Sequence, residues 1–158
     1  MEAHQAADLF AALRERGFQI WVAGGWAVDA LVGHETRQHQ DLDLAVDAEQ
    51  LEEVLQWLAA CNFEVQTDWL PSRVELVSKD GRRVDIHPVQ FRADGSGLQE
   101  GWQSGPFHYA SDGFSRGRIS GQLVDCLGAT QQLTFREGFV LSDKDHHDIA
   151  LMRAFEGI

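Results

Sequence analysis

Residues 19–46 read QIWVAGGWAVDALVGHETRQHQDLDLAV, and this stretch decides the fold. It opens with an apolar run, residues 19–23, that predicts a buried strand. Gly24-Gly25 ends the strand, and residues 26–32 predict a short helix before Gly33. A polar loop then leads to residues 41–46, whose acidic and apolar side chains alternate and predict a second strand.

Apolar residues recur at helical spacing on both sides of this stretch. The intervals i, i+3, i+4 and i+7 predict helices over residues 3–16 and 48–60. Three more strands are predicted at residues 63–69, 73–79 and 82–89, and the Asp80-Gly81 turn joins the last two as a hairpin.

The second half of the chain has less regular patterning. Residues 90–117 are rich in Gly, Ser and charge, which indicates a functional loop or short irregular strands. A strand at residues 122–126, a helix at 129–136 and a last helix after Ser142, where Asp145 completes a capping box, follow. The order of elements predicts a single α+β domain, residues 1–158, with a mixed β-sheet flanked by helices.

The net charge limits the classes of ligand that we expect for this chain of 158 residues. Its net charge is -12, with 25 acidic and 13 basic residues, so a polynucleotide partner is not expected. An anionic nucleotide would instead enter with a metal cation or meet a few local basic groups, and a cationic small molecule would be attracted. No membrane-spanning run or signal peptide is recognisable, so we expect a cytoplasmic protein whose cysteines, Cys61 and Cys126, are buried thiols.

Three local features carry chemistry. Gly24-Gly25 lets backbone approach a phosphate closely at a helix start, although a strand-to-helix turn needs glycine for its geometry alone. Asp41 and Asp43 point to one side of a strand, and two adjacent carboxylates there suit Mg²⁺. Both could equally face solvent on an edge strand.

The third feature is Asp85, a lone carboxylate in an apolar predicted strand. Alternation places its side chain on the face opposite to those of Val84 and Ile86. If this strand lies beside that of Asp41 and Asp43, three carboxylates converge and can hold a metal ion on a triphosphate or accept a proton from a hydroxyl. A solvent-facing Asp85 is the alternative.

Together these segments resemble a known group of enzymes. Residues 21–29 and 36–44 are similar to the antibiotic nucleotidyltransferases of the DNA polymerase β superfamily, which include the aminoglycoside 2″-adenylyltransferases. Further segments, in the same order, resemble the small lincosamide nucleotidyltransferases: residues 69–76, 84–89, 94–96 and 138–149. Residues 90–117 otherwise match poorly, so the resemblance does not fix the acceptor.

The resemblance implies a mixed sheet flanked by helices, Mg²⁺ as the metal, ATP as the donor and pyrophosphate as a product. By position, Asp41 and Asp43 would hold the metal, and Asp85 would complete the site as ligand or base. The same resemblance implies four residues at the nucleotide, namely Gly24, Gly25, Arg37 and His39; the alternative is that Arg37 and His39 are ordinary loop residues.

Other residues extend this hypothesis. Glu75 could join the acidic cluster or contact the acceptor, and Trp102 could line a ligand pocket. His146-His147, flanked by Asp145 and Asp148, is better interpreted as a solvated first helical turn than as a metal site, because adjacent residues on a helix diverge.

The predicted function is transfer of AMP from Mg-ATP to a hydroxyl of a small-molecule antibiotic, most simply a lincosamide. The alternatives are adenylylation of an aminoglycoside, of an unrelated metabolite or of a protein, and a non-catalytic nucleotide-binding relic. The partners are thus a nucleotide and a small acceptor, without nucleic acid or membrane. A homodimer that shares a cleft across its interface is compatible with the several aromatics.

Overall fold

Nine strands and five α-helices form the part of the chain that the computed structural model describes, residues 1–157. A single 3₁₀ turn, Ala48–Gln50, precedes the third helix. In chain order the elements are α1 (Ala3–Glu15), β1 (Ile20–Ala23), α2 (Gly24–Val32), β2 (Asp41–Asp47), α3 (Leu51–Ala60), β3 (Phe63–Trp69), β4 (Arg73–Ser78), β5 (Arg83–Phe91), β6 (Gly97–Gln99), β7 (Phe107–Tyr109), β8 (Phe114–Ile119), β9 (Gln122–Leu127), α4 (Ala129–Phe135) and α5 (Asp143–Glu156).

The strands form one mixed sheet. Seven of them follow the order β3-β4-β5-β2-β1-β9-β8, and β6 and β7 extend the sheet from the far end of β5. The pairs β2–β5 and β1–β9 are parallel, whereas β1–β2, β4–β5 and the other pairs are antiparallel. This arrangement confirms the predicted α+β class with a mixed sheet.

One face of the sheet packs against helices. Alternate residues of the central strands, such as Leu42, Leu44 and Ile86, are fully buried in a core that also contains apolar side chains of α1, α2, α3 and α5. Alternation along each strand assigns the residues in between to the other face. The carboxylates of Asp43 and Asp85 therefore lie on the face opposite to this core.

The second face has its own cover, which is aromatic. Ala23, Ala45 and Val89 pack there against Tyr109 and Leu127, with further rings from β5, β7, β8 and α4 around them. Tyr109 and Phe135 meet edge to face with their ring centroids 4.8 Å apart. The short strands β6 and β7 and the helix α4 thus lie beside the sheet face that carries Asp43 and Asp85.

Most predicted elements are present, and several details differ. Helix α2 begins at Gly24 rather than after the glycine pair, and Gly33 ends it in the left-handed conformation with φ 96°. Of the two alternatives for residues 90–117, a loop or short strands, the structure has short strands: β6, β7 and most of β8. Cys126 is buried as expected, but Cys61 is only half-buried. None of the helices described, within residues 1–157, is long and apolar enough to cross a membrane.

The interpretation of the last helix needs a correction. Residues 145–148 were expected to form a solvated first turn. His146 is exposed, but Asp148, which lies beyond the first turn of α5, is only 2% exposed and accepts hydrogen bonds from Arg37 and Arg136. His147 bonds the Thr36 hydroxyl across 3.0 Å. The cause is tertiary: one face of this turn packs against the loop after α2, so two basic side chains neutralise an acid that the sequence pattern places at a helix start.

Candidate active site

Strand pairing brings the predicted carboxylates together. In the parallel pair β2–β5, Asp43 lies directly opposite Asp85, and in the antiparallel pair β4–β5, Glu75 lies opposite Asp85 from the other side. Asp41 is two residues before Asp43 on the same face of β2. The structure therefore brings Glu75, Asp85 and Asp43 into one row across three neighbouring strands, with Asp41 two residues further along β2, opposite Arg83.

A basic side chain holds part of this row. Nη1 of Arg73 lies 2.6 Å from Oε1 of Glu75 and 2.6 Å from Oδ2 of Asp85. The guanidinium also stacks over Trp69, 4.2 Å from the ring centroid. Arg73 thereby offsets two acidic charges and fixes one oxygen of Asp85, while the other oxygen remains unbound.

The positive charges near Asp85 and Asp41 do not compensate the burial and mutual repulsion of the acidic groups. Burial, together with the neighbouring charge of Asp43, raises the pKa of Asp85 to about 6 despite the opposing effects of His87 and Arg73. Burial, Asp43 and Glu75 also raise the pKa of Asp41. A cation beside these groups would favour their ionised forms.

The donor atoms at this point fit a divalent cation. Ligand atoms of Asp43, Asp85 and His87 lie within 4.8 Å of one another. Oδ1 of Asp85 is buried and has no hydrogen-bond partner within residues 1–157, which is costly for a carboxylate oxygen unless a cation binds it. Carboxylate oxygens are the ligands that Mg²⁺ prefers.

His87 lies between the carboxylates and a buried amide. Its Nε2 is 3.3 Å from Oδ1 of Asp43 and 3.6 Å from Oδ2 of Asp85. Burial lowers the pKa of His87, but the hydrogen bond to Asp43 and the charge of Asp85 outweigh it and raise the pKa above its ordinary value. Its Nδ1 is 3.0 Å from Nε2 of Gln99 in β6.

Gly24 stands directly against Asp43. Its φ is 60°, and a Cβ at this position would overlap Oδ2 of Asp43. The residue before it, Ala23, pairs with Asp43 across β1–β2 and offers no side chain to cap α2. The first amides of α2 therefore lack a capping side chain next to the carboxylate row, which suits an anionic group.

Gly25 has a different neighbour. A Cβ here would overlap the guanidinium of Arg37 and the ring of His39. His39 is 6% exposed, pairs with Asp29 across 2.6 Å and packs on Trp26. Both predicted nucleotide contacts thus lie behind the glycine turn, and whether they touch a nucleotide stays a prediction.

A cavity of about 600 Å³ opens over this face of the sheet. Its polar lining includes Asp43, His87 and two arginines, Arg73 and Arg136. Its apolar lining is mainly aromatic: Trp69, Trp102, Phe107, Tyr109, Phe135 and Phe139. Trp102 is 52% exposed and stacks on Trp69 with centroids 6.1 Å apart, so it lines the cavity, and its contact with a ligand stays a prediction.

Arg136 was not anticipated from the sequence. It follows α4, lines the cavity, and donates to the carbonyl and side-chain oxygens of Gln132 and to Asp148. Gln132 in turn reaches the carbonyl oxygen of Gly24. A lone arginine after a short helix gives no signal in the sequence, because only the packing of α4 beside the glycine turn gives it a role. Arg73 and Gln99 were missed for the same reason.

The chain is similar to known proteins over most of its length. Residues 6–152 match the family model of the aminoglycoside-2″-adenylyltransferases. A lincosamide resistance protein of Staphylococcus haemolyticus is 34% identical over 134 residues, which cover 85% of this chain and 83% of the relative. A 2″-aminoglycoside nucleotidyltransferase of Escherichia coli is 42% identical over 53 residues, 32% of this chain and 30% of the relative.

Two solved structures have a similar fold. The crystal structure of the lincosamide antibiotic adenylyltransferase LnuA with lincomycin bound superimposes with a TM-score of 0.82 and 31% identity, covering 93% of each chain. The structure of ANT(2″)-Ia in complex with adenylyl-2″-tobramycin has a TM-score of 0.74 at 21% identity, covering 96% of this chain and 87% of that one, and supports the fold alone.

The fold and the acidic row define a nucleotidyltransferase of the polymerase β-like type, as predicted. The chain belongs to the aminoglycoside-2″-adenylyltransferase family. The resemblance seen in the sequence and the prediction of an antibiotic nucleotidyltransferase are thereby confirmed. The roles of the individual site residues stay predictions.

Proposed function

We propose that this protein transfers AMP from Mg-ATP to a hydroxyl group of a lincosamide. A bond forms between the hydroxyl oxygen and the α-phosphorus, and the bond to the bridging oxygen of the leaving pyrophosphate breaks. The observation that carries the proposal is the direct pairing of Asp43 with Asp85 beside an aromatic cavity, in a chain 34% identical to a lincosamide resistance protein.

The carboxylates have two tasks in this reaction. Asp41, Asp43 and Asp85 would hold Mg²⁺, which supplies positive charge to the triphosphate and to the pyrophosphate as it leaves. Asp85 would also accept the proton of the acceptor hydroxyl. Without a metal ion, burial raises the pKa of Asp85 to about 6; bound Mg²⁺ would keep the carboxylate ionised, which a proton acceptor must be.

The triphosphate would lie between the glycine turn and Arg136. The start of α2 lacks a capping side chain, and Gly24 brings backbone to the edge of the carboxylate row. Arg136 lines the same cavity, whereas Arg37 does not and instead pairs with Asp148. We therefore assign the main phosphate contact to Arg136, with Arg37 supporting it through their shared partner.

The walls of the cavity favour an amphipathic acceptor. Six aromatic side chains line it, and Asp43 is the one acid among the lining residues described. A lincosamide has apolar substituents and a single basic amine, which such walls suit. An aminoglycoside carries several ammonium groups, each of which needs an acidic partner when desolvated.

An aminoglycoside is the second candidate acceptor. A separate hollow lined by Asp41, Glu75 and Asp85 lies beside the carboxylate row and could receive ammonium groups. Arg83 on its rim and the bridge from Arg73 already offset much of that charge. The hollow therefore favours the aminoglycoside less than the aromatic cavity favours the lincosamide.

The test is mass spectrometry of lincomycin and tobramycin, each incubated with the protein, ATP and Mg²⁺. We expect the mass of one AMP to be added to lincomycin, and only in the presence of Mg²⁺. AMP transfer to tobramycin alone would overturn the acceptor assignment. Absence of transfer to either, with no release of pyrophosphate, would support the non-catalytic alternative.

A matched pair of variants tests the carboxylates. Asp43→Asn should abolish transfer without unfolding the protein, because the side chain keeps its size and lies on the catalytic face. Asp112→Asn, an equivalent change at an exposed position remote from the row, should leave the rate unchanged. An active Asp43→Asn protein would contradict the metal-ligand role.

A second pair separates the two arginines. Arg136→Gln and Arg37→Gln each remove one partner of Asp148, but only Arg136 lines the cavity. Loss of a charge-assisted hydrogen bond predicts a KM for ATP about tenfold higher in Arg136→Gln. Arg37→Gln should change the KM for ATP little. The reverse order would show that Arg37 contacts the nucleotide, as the resemblance implied.

A further inference from the structure

A hydrogen-bonded network, buried at Tyr109 and Gln99 and partly buried at His87, leads from the cavity lining to the carboxylate row. The hydroxyl of Tyr109 donates to Oε1 of Gln99 across 2.6 Å. Nε2 of Gln99 is 3.0 Å from the carbonyl oxygen of Ser72 and 3.0 Å from Nδ1 of His87. On its other side, Nε2 of His87 reaches Oδ1 of Asp43 across 3.3 Å.

The surroundings of Gln99 fix the orientation of its amide. The carbonyl oxygen of Ser72 can only accept a hydrogen bond, so the group facing it must be the amide NH₂. The amide oxygen then faces the hydroxyl of Tyr109, which can donate. The reverse orientation would bring two acceptors, the amide oxygen and the Ser72 carbonyl, to 3.0 Å. Gln99 is 5% exposed, so water does not relieve that repulsion.

The oriented amide in turn fixes His87. Its second N–H points to Nδ1 of His87, which must therefore carry a lone pair rather than a proton. The single proton of a neutral imidazole then resides on Nε2, the nitrogen that faces Asp43 and Asp85. A nitrogen that carries a proton has no lone pair to offer a metal ion.

We infer that His87 is a hydrogen-bond donor that positions Asp43, and that it is not a ligand of the metal ion. Gln99 acts through His87 by setting its tautomer. The metal ligands are then the carboxylates alone, although the ligand atom of His87 lies within 4.8 Å of theirs. This inference deepens the proposed function and rests on it for the metal, but its first test needs no transfer of AMP.

That test is nuclear magnetic resonance of the protein labelled with ¹³C and ¹⁵N. Long-range ¹H–¹⁵N correlations show which ring nitrogen of His87 carries the proton; they are recorded at increasing pH until the ring is neutral, because the pKa of His87 lies above its ordinary value. We expect Nε2 protonated and Nδ1 unprotonated, both before and after addition of Mg²⁺ with a non-hydrolysable ATP analogue. An unprotonated Nε2 in the metal-loaded protein would overturn the inference.

Variants of Gln99 test its control over the tautomer. Gln99→Glu puts acceptors in place of the amide N–H, so Nδ1 of His87 should become protonated. Gln99→Met keeps the length of the side chain without a donor or an acceptor, and it controls for packing. If Nδ1 stays unprotonated in a folded Gln99→Glu protein, Gln99 does not set the tautomer. If that variant does not fold, the measurement on the unaltered protein with Mg²⁺ decides.

A pair of His87 variants distinguishes a donor from a ligand by activity. The amide of His87→Gln can still donate near the position of Nε2, whereas the carboxylate of His87→Glu can only accept a hydrogen bond or bind metal. We expect kcat within about tenfold of the original for the first and about 100-fold lower for the second. The opposite order would make His87 a ligand. If neither variant transfers AMP, the tautomer measurement still tests the inference separately from the proposed function.

Discussion

Replacing Gly24 by alanine should inactivate the protein while leaving it folded. Gly24 has φ 60°, and the added methyl group would overlap Oδ2 of Asp43. The carboxylate must then move away from its position opposite Asp85, where both groups would hold the metal. Strand β2 itself need not move, because its other residues are held by the core.

The expected magnitudes come from two separate effects. Left-handed backbone costs a residue with a Cβ about 1–2 kcal/mol, so the free energy of unfolding should fall by that amount. For a chain of this length the midpoint of thermal unfolding should fall by about 2–8 °C. A displacement of about 1 Å at a reacting centre lowers the rate about 100-fold, and we expect a loss of kcat at least that large.

The chain contains a matched control for the backbone effect. Gly33 also has a positive φ, 96°, but an added Cβ there meets nothing within 4 Å. Gly33→Ala should therefore lose similar stability and keep its activity. Thermal unfolding and steady-state transfer of AMP to lincomycin, measured on both variants, separate strain from displacement of Asp43. Equal activity of the two variants would refute the role assigned to the close approach of Gly24.

Three further predictions concern burial and charge. Burial raises the pKa of the Cys126 thiol to about 12. A thiol reagent should therefore modify the half-buried Cys61 in the native protein and reach Cys126 only on unfolding. Mass spectrometry of the labelled peptides tests this, and labelling of Cys126 in the native protein would contradict it. Burial alone would raise the pKa of Asp29. Hydrogen bonds from His39 and Thr36 outweigh that effect, and the pKa lies below its ordinary value. The resulting stability is present above the unfolded pKa of 3.8 and is lost as the pH falls through the folded value. Asp29→Asn should thus cost about 2 kcal/mol at neutral pH and progressively less in acid, as measured by urea unfolding, and a constant difference would contradict this. Asp148→Ala leaves two guanidinium groups without their buried partner and should cost about 3–5 kcal/mol in the same assay; a loss below about 1 kcal/mol would show that the pairing does not hold α5 in place.

The sequence predicts those parts of the fold that depend on local pattern. Alternation in β2 and β5 correctly separates the aliphatic side chains of the core from the carboxylates, and the Asp80-Gly81 turn correctly joins β4 to β5. Residues 90–117 were harder because their strands are three to six residues long and contain many small and polar residues. Their conformation depends on the strands and rings they pack against, which no local period reveals.

The candidate site shows the same limit. Asp43 and Asp85 are 42 positions apart, and only parallel pairing of β2 with β5 makes them neighbours. Each carboxylate could be singled out from its own strand, but the bridge from Arg73 and the network through Gln99 depend on three-dimensional packing. Asp148 was interpreted wrongly for a different reason. Acids near a helix start are usually solvated, so the sequence did not indicate that Asp148 is buried between two arginines.

Because the two faces of β2 have different tasks, the number of residues in this strand cannot change. Leucines of the core and acids of the site occupy alternate positions of the same seven residues, Asp41–Asp47. Deletion of a single residue in this strand would exchange the two sets, so the carboxylates would enter the core and the leucines would face the nucleotide. Substitutions on one face can be tolerated independently of the other, whereas a change of length in β2 removes folding and catalysis together.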